Sequence, residues 1–302
     1  MQERSFLFLP AFTLVLSGIM LSLACHRCAA SKVDSVQNTP TTFTIPYSLD
    51  APSERYPLAA VELQEVSGLS PTSTPGQFVA ISDEKGEFYF LDLAKGGTIT
   101  NRVMFKEKGD FEGIEMVGDT VYCIKSDGDL YKISDWAKGG TPSMSMVKLG
   151  FENNDIEGLC YDRQRKALLI AAKEDPERSV KRSVWSYSIA TGQLNPTPVY
   201  SVDPAAVDQL VNNNDDNKQR YFSTSGIAVH PMSGDIYLIS TSLKRLAVLD
   251  YATGTLKAAV RLDKDVLGQP EGISFDAEGN LYISSEAKKT TAMIAKFNLN
   301  KS

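Results

Sequence analysis

The sequence has very little histidine and no cluster of lysine and arginine with interleaved aromatic residues. Only two of its 302 residues are histidine, and His26 lies near the N-terminus, which leaves His230 for the rest of the chain. This scarcity argues against Ser-His-Asp catalysis and against zinc sites built from histidine. The net charge is −6 and lysine and arginine are scattered, so no nucleic-acid partner is expected. A nucleophile elbow, a phosphate loop and a dinucleotide fingerprint are also missing from the sequence.

Cysteine is scarce as well. Cys25 and Cys28 lie near the N-terminus, and only Cys123 and Cys160 fall in the part that we expect to fold. Two cysteines do not make a disulfide framework. We interpret them as small buried hydrophobic residues, with a single bridge between them as the alternative.

A long apolar run occurs only at the N-terminus, where Phe6–Leu23 follows Arg4. This pattern is typical of a signal peptide. The run continues into Ala24-Cys25, which is similar to a bacterial lipobox, although Ser22 stands where that motif prefers leucine. We therefore predict a signal peptide over residues 1–24 and a lipid on Cys25. Cleavage near Ala30, which would give a secreted protein, and an uncleaved anchor are the alternatives.

The expected location is the cell envelope, with the chain anchored to the membrane through Cys25 and facing the periplasm or the medium. Residues 25–41 are small and polar without periodicity, so we interpret them as a flexible tether. The folded domain is predicted to span residues 42–302.

One short motif recurs five times and predicts the fold. In each copy, glutamate or serine precedes a glycine, which leucine or isoleucine follows. The copies are EVSGLSP (65–71), FEGIEMV (111–117), IEGLCYD (156–162), TSGIAVHP (224–231) and PEGISFD (270–276). The glycines are 45, 45, 68 and 46 residues apart. Each motif precedes further short strands bounded by turn residues, and a period of about 45 residues with four strands is typical of a propeller blade.

The sequence therefore predicts an all-β chain folded as a five-bladed β-propeller of four-stranded blades. The fifth repeat lacks a fourth strand, and we expect the N-terminal segment Thr42–Tyr47 to supply it and close the ring. The longest interval between motifs is expected to hold an insertion at 203–222, with a short helix starting at Asp203-Pro204. A six-bladed propeller with one degenerate blade is the alternative.

The order SGL, EGI, EGL, SGI, EGI, with KEDP at 173–176 and SSE at 284–286, resembles the SdiA-regulated family of bacterial envelope proteins. The resemblance covers residues 42 to 300. It implies a five-bladed propeller, distantly related to NHL-repeat propellers, with a bound calcium ion and no established activity.

The acidic residues of the repeats are the candidate site. Glu112, Glu157 and Glu271 precede the glycine in three blades, where inner strands meet around one axis. Carboxylates crowded in this way raise one another's pKa or require a cation, and Ca²⁺ prefers oxygen ligands. A second acidic set follows the second strands and is expected to reach the same face: Asp83, Glu174 and Glu286. The alternative is that these glutamates are hydrogen-bonded to their neighbours or solvated.

These features leave three functional hypotheses. The first is a calcium-binding envelope lipoprotein that holds an unidentified small molecule or envelope protein. The second is a calcium-dependent hydrolase of the esterase, lactonase or phytase type, with Glu157 or Glu271 as the base. The third is a scaffold without a metal.

Overall fold

Short strands rich in β-branched and aromatic residues fold into five antiparallel sheets. The computed structural model describes residues 43–151, 155–174, 181–211, 221–287 and 291–300. Strand β1 spans Glu54–Pro57. The first blade contains β2 (Val66–Pro71), β3 (Gln77–Ser82), β4 (Gly86–Asp92) and β5 (Thr98–Lys106). The second contains β6 (Phe111–Val117), β7 (Thr120–Lys125), β8 (Asp129–Ser134) and β9 (Ser143–Lys148).

The remaining blades follow in chain order. The third contains β10 (Asp155–Asp162), β11 (Ala167–Glu174), β12 (Arg182–Ser188), β13 (Gln193–Leu194) and β14 (Tyr200–Val202). The fourth contains β15 (Gly226–Val229), β16 (Ile236–Ser240), β17 (Arg245–Leu249) and β18 (Leu256–Arg261). The fifth contains β19 (Pro270–Phe275), β20 (Leu281–Ser285) and β21 (Met293–Phe297). The prediction of five blades is confirmed.

In the ranges that the structure describes, helical structure is confined to short connections. Three 3₁₀ turns lie at Val61–Leu63, Leu93–Lys95 and Trp136–Lys138. Helix α1 spans Pro204–Leu210, and Asp203 caps it by accepting a hydrogen bond from the Ala205 amide at 2.8 Å. The predicted helix in the insertion is therefore confirmed, whereas 212–220 lie outside the described residues. Within the described part of the chain, no helix has the length and apolar character needed to cross a membrane.

An N-terminal strand closes the ring, as predicted, but it is not the segment 42–47. Strand β1 pairs antiparallel with β21, with Glu54 opposite Lys296 and Pro57 opposite Met293. Residues 43–47 form no strand. Their alternation of apolar residues has another cause, because Phe43 and Ile45 pack on the core between the fourth and fifth blades.

Five apolar clusters form the core, one between each pair of neighbouring blades. The cluster between the last and first blades contains Ile294 and Tyr282 on one side and Leu69 and Phe78 on the other. Each blade thus buries both faces against its neighbours, which a single small sheet does not achieve alone. Cys123 and Cys160 lie in two different clusters, and both are free and buried, in agreement with their interpretation as small hydrophobic residues.

The five glycines of the repeat line a narrow central channel, as a propeller of five equivalent blades requires. Each packs against the inner strand of the next blade. A Cβ on Gly113 would lie 2.7 Å from Leu159 Cβ, and a Cβ on Gly68 would lie 2.7 Å from the Ile114 amide nitrogen. A Cβ on Gly272 would lie 3.0 Å from the Leu69 amide nitrogen, so the last blade contacts the first in the same way. Glycine recurs because no side chain fits at these blade contacts.

The channel at this level is almost filled. Its free volume is about 10 Å³, which is close to the minimum for one water molecule. The molecule therefore presents two separate channel mouths. The first mouth lies at the N-terminal ends of the inner strands β2, β6, β10, β15 and β19, and the second lies at their C-terminal ends.

Candidate functional site

A β-bulge in the inner strand places the acidic residue of the repeat at the first mouth. In β6, the register passes from Phe111 to Gly113 and skips Glu112. In β10 it passes from Ile156 to Gly158 and skips Glu157, and a shift between Pro270 and Ile273 contains Glu271. Bulges re-aim single side chains, often beside functional sites. The three glutamates predicted from the repeat line the same channel.

The electrostatics of these glutamates show a crowded acidic site. Burial, with the nearby carboxylates of Glu157 and Asp110, raises the pKa of Glu112 to about 9. Burial also raises the pKa of Glu271 well above its ordinary value, and the carboxylates of Glu157 and Glu286 add to this effect. At neutral pH Glu112 therefore holds its proton, and the same environment disfavours ionisation of Glu271.

Lys173 supplies positive charge to this mouth. Its Nζ atom lies 2.5 Å from Glu157 Oε1 and 3.5 Å from Asp155 Oδ2. Burial raises the pKa of Glu157 to about 7, although the Lys173 ammonium lowers it in part. The carboxylates in turn raise the pKa of Lys173 despite its partial burial, so the lysine stays charged.

The second predicted set divides between neighbouring parts of this mouth. Glu286 accepts a hydrogen bond from Gln269 and raises the pKa of Glu271, so it joins the channel glutamates. Glu174 lies opposite Asp155 at the end of β11. Asp83 lies among other acids, and burial with the carboxylates of Glu65, Glu84 and Asp110 raises its pKa to about 6.

Sequence reasoning missed three contributors to this mouth. Ile156 pairs with Ala172 as Val66 pairs with Ser82 and Pro270 with Ser285, so Lys173 occupies the position of Asp83 and Glu286, and this exchange of an acid for lysine was the available signal. Asp110 precedes its repeat by one residue and interacts with both Glu112 and Asp83. Thr241 donates a hydrogen bond to Glu271, and the local sequence gives no sign of this contact.

The chemistry of the mouth fits a hard divalent cation, because carboxylate oxygens are the ligands that Ca²⁺ prefers. The buried Asp83 Oδ1 atom, which has no hydrogen-bond partner within the described residues, also fits a missing positive group. In this structure the glutamate side chains are arranged around the ion pair between Lys173 and Glu157. Over the described ranges, no three histidine, cysteine or acidic side chains converge on one point at ligand distances.

His230 lies at the second mouth and belongs to a turn, as its sequence context predicts. Its buried ring accepts hydrogen bonds at Nδ1 from the amides of Met232 at 3.3 Å and Ser233 at 3.1 Å. Burial lowers the pKa of His230, so the imidazole is neutral at physiological pH.

Solved structures share this propeller architecture at low sequence identity. Myxococcus xanthus glutaminyl cyclase superposes with a TM-score of 0.56 at 16% identity, covering 82% of this chain and 95% of that chain. Regucalcin of Agrobacterium tumefaciens, a calcium-binding protein, gives a TM-score of 0.50 at 12% identity, covering 84% and 94%. At these identities the likeness concerns the fold alone.

The family resemblance seen in the repeat motifs is confirmed by a family model. The SdiA-regulated model matches residues 48–289, which include all five glycine motifs and the strands that surround them. The chain belongs to the SdiA-regulated family.

Proposed function

We propose that this protein is a Ca²⁺-binding propeller module of the cell envelope, with the ion held at the first channel mouth. The observation that carries the proposal is the group formed by the buried Glu157 and the half-buried Glu112 and Glu271, whose pKa values are raised by partial or full burial and by neighbouring carboxylates. A divalent cation would remove the cost of ionising them. The calcium-binding regucalcin, which shares the architecture, supports the idea by analogy.

Bound calcium would neutralise carboxylates that otherwise hold protons. Glu112, Glu157 and Glu271 would supply oxygen ligands, and Lys173 would give up its contact with Glu157. Because the ligands must lose protons first, binding is expected to strengthen as the pH rises toward the pKa of Glu112. Glu286, Glu174 and Asp83 are proposed as additional ligands at the rim.

Thermal unfolding of the full chain with chelator and with Ca²⁺ tests the site. A ligand that binds only the folded state at a hundred times its Kd adds about 2.7 kcal/mol of stability. We expect calcium to raise Tm, and Glu271→Gln and Glu157→Gln to reduce the increase strongly. Glu278→Gln, at an exposed position outside the mouth, is the matched control. The proposal is wrong if calcium leaves Tm unchanged and elemental analysis finds no metal in the purified protein.

The location is proposed from the N-terminal sequence, since residues 1–42 lie outside the described part of the chain. A lipid on Cys25 would hold the propeller at the membrane surface, where its mouths would face an unidentified small molecule or envelope protein. Mass spectrometry of the mature N-terminus tests this, because Cys25→Ser should abolish the lipid-modified peptide and release the protein from the membrane fraction. An unmodified N-terminus at another residue would support the secreted alternative.

A calcium-dependent hydrolase is the second candidate, and one observation favours it. Burial and Lys173 together set the pKa of Glu157 to about 7, which suits a general base at neutral pH. The test is turnover of ester, lactone and phosphate substrates, with a peptide bearing N-terminal glutamine added because a glutaminyl cyclase shares the architecture. Turnover that Glu157→Gln abolishes would establish an enzyme, whereas calcium binding without turnover would support the binding module.

A further inference from the structure

The second channel mouth opens into a cavity of about 570 Å³, on the opposite side of the glycine constriction from the glutamates. This volume lies within the range of pockets that hold small organic molecules, about 300–1,000 Å³. The turns that follow the inner strands surround it, and its lining includes Glu115, Tyr161, Met232 and Phe275.

Buried polar groups face this cavity without protein partners. The Ser274 side chain is 5% exposed, lines the cavity, and its Oγ atom has no hydrogen-bond partner within the described residues. His230 is 5% exposed, also lines the cavity, and its Nε2 atom has no partner in the same part of the chain. Buried polar atoms are nearly always satisfied, so such atoms beside an open cavity point to a ligand or ordered solvent.

The acidic residues of the cavity wall differ in the hydrogen bonds and ion pairs that they form within the protein. Asp162 accepts from Arg165 at 2.7 Å and from the Tyr251 hydroxyl at 3.1 Å. Asp276 accepts from the backbone and side chain of Asn280, both at 2.8 Å, so its carboxylate oxygens are hydrogen-bonded within the protein. Both carboxylates serve the protein's own structure.

Glu115 has no such ion pair within hydrogen-bond distance among the described residues. It receives hydrogen bonds from the Ser70 hydroxyl and the Tyr161 amide, and burial nevertheless raises its pKa to about 8. The guanidinium of Arg163, at an exposed position, acts on it through space only. A ligand cation placed against Glu115 would favour the ionised carboxylate, as an opposite charge does in a buried site.

We propose that this second pocket binds a small molecule with an apolar body and a primary amine, with the amine against Glu115 and the body against the aromatic and methionine side chains. The faces of Tyr161 and Phe275 suit both an apolar body and a nearby cation. Ser274 and His230 would complete the polar contacts of the ligand. This site is independent of the calcium site, because the glycine constriction separates the two mouths.

Three probes of similar shape test the ligand class with the full chain: phenethylamine, 2-phenylethanol and phenylacetate. Their charges are positive, zero and negative, and their affinities are measured by ligand-detected NMR and isothermal titration calorimetry. We expect the amine to bind about tenfold or more tightly than the alcohol, a difference of about 1.4 kcal/mol. Stronger binding of phenylacetate would show that Arg163 rather than Glu115 selects the ligand, and the proposal would fail.

Two variants and one control locate the binding. Glu115→Gln keeps the side-chain shape and should lower amine affinity about tenfold while leaving the alcohol unaffected, which removes the preference. Ala277→Trp fills the cavity from an exposed lining position and should abolish binding of the amine. Glu278→Gln, exposed and outside the lining, should bind as the parent does.

Circular dichroism and thermal unfolding show that each variant is folded before its affinity is interpreted. Amine binding that persists unchanged in folded Glu115→Gln and in folded Ala277→Trp overturns the proposal, as does failure of the amine to bind the parent protein up to its solubility limit. Because none of these readouts requires calcium, their outcome is separate from that of the calcium experiments.

Discussion

Replacing Glu112 by glutamine should stabilise the protein in the absence of calcium, and increasingly so as the pH rises. The pKa of Glu112 is about 9 in the folded state because of burial and of Glu157 and Asp110. In the unfolded chain a glutamate titrates near pH 4.3. Between these values the folded state binds the extra proton, so folding loses stability as the pH rises. Glutamine keeps the shape of the side chain and does not titrate.

The magnitude follows from the slope of this linkage. A difference of one bound proton changes the unfolding free energy by about 1.4 kcal/mol per pH unit. Between about pH 6.5 and pH 8.5, the titration of Glu112 should therefore lower the unfolding free energy of the parent by about 3 kcal/mol. The unfolding free energy of Glu112→Gln should lack this decrease. For a domain of this size, that difference corresponds to roughly 6–12 °C in Tm. The window begins at the midpoint of histidine titration in the unfolded chain, so His230 contributes only a small change near its lower end, and that change is the same in the parent and in Glu112→Gln.

The assay is thermal and urea unfolding of both proteins with chelator at several pH values across this window. Glu278→Gln serves as the control for replacing an exposed glutamate while Glu112 is kept. Its stability should follow that of the parent at every pH. The reasoning is refuted if the parent keeps its stability through the window, or if Glu112→Gln loses stability with the same slope as the parent.

Three further predictions concern charge, packing and thiol chemistry. Lys173→Gln should destabilise the calcium-free protein by about 1–2 kcal/mol in urea unfolding, because Glu157 loses an ion pair whose lysine end is partly screened by solvent. Saturating calcium should restore most of the loss, and an equal loss with and without calcium would contradict the proposed site. Gly113→Ala should cost about 2 kcal/mol or more in the same assay, since its Cβ would lie 2.7 Å from a side-chain carbon of the next blade. Cys123 and Cys160 should react with a thiol reagent only after unfolding, because burial raises the pKa of both thiols; rapid labelling of the native protein would show that these strands open.

The architecture could be predicted because the repeat reports a spatial constraint directly. At Gly113 and its equivalents, the backbone of one blade meets that of the next, and any side chain would collide. The repeat does not determine which N-terminal segment closes the ring. Phe43–Tyr47 and Glu54–Pro57 are both short, and only tertiary contacts determine that the first packs on the core while the second pairs with β21.

The sequence predicts site residues only at positions where several blades carry the same residue type. Glu112, Glu157 and Glu271 occupy equivalent bulges, so their meeting at one mouth follows from the repeat. Lys173 stands where Asp83 and Glu286 stand in other blades, and its approach to Glu157 depends on the position of a single side chain. The pocket at the second mouth was not foreseen, because its depth comes from turns whose sequences differ from blade to blade.

The two ends of the inner strands therefore have different chemical consequences. Before the glycine, the blades repeat glutamate or serine, so five-fold geometry brings like groups together and creates a demand for outside positive charge. Two residues after the glycine, the blades differ, with Ser70, Glu115, Cys160, Ala228 and Ser274 in chain order. Glu115 is the one acid in this ring of unlike side chains. Because the negative charge lies on one side of the ring, it favours an asymmetric ligand over a central ion. Because the constriction between the mouths admits scarcely more than one water molecule, each mouth can be altered by mutation and titrated independently of the other.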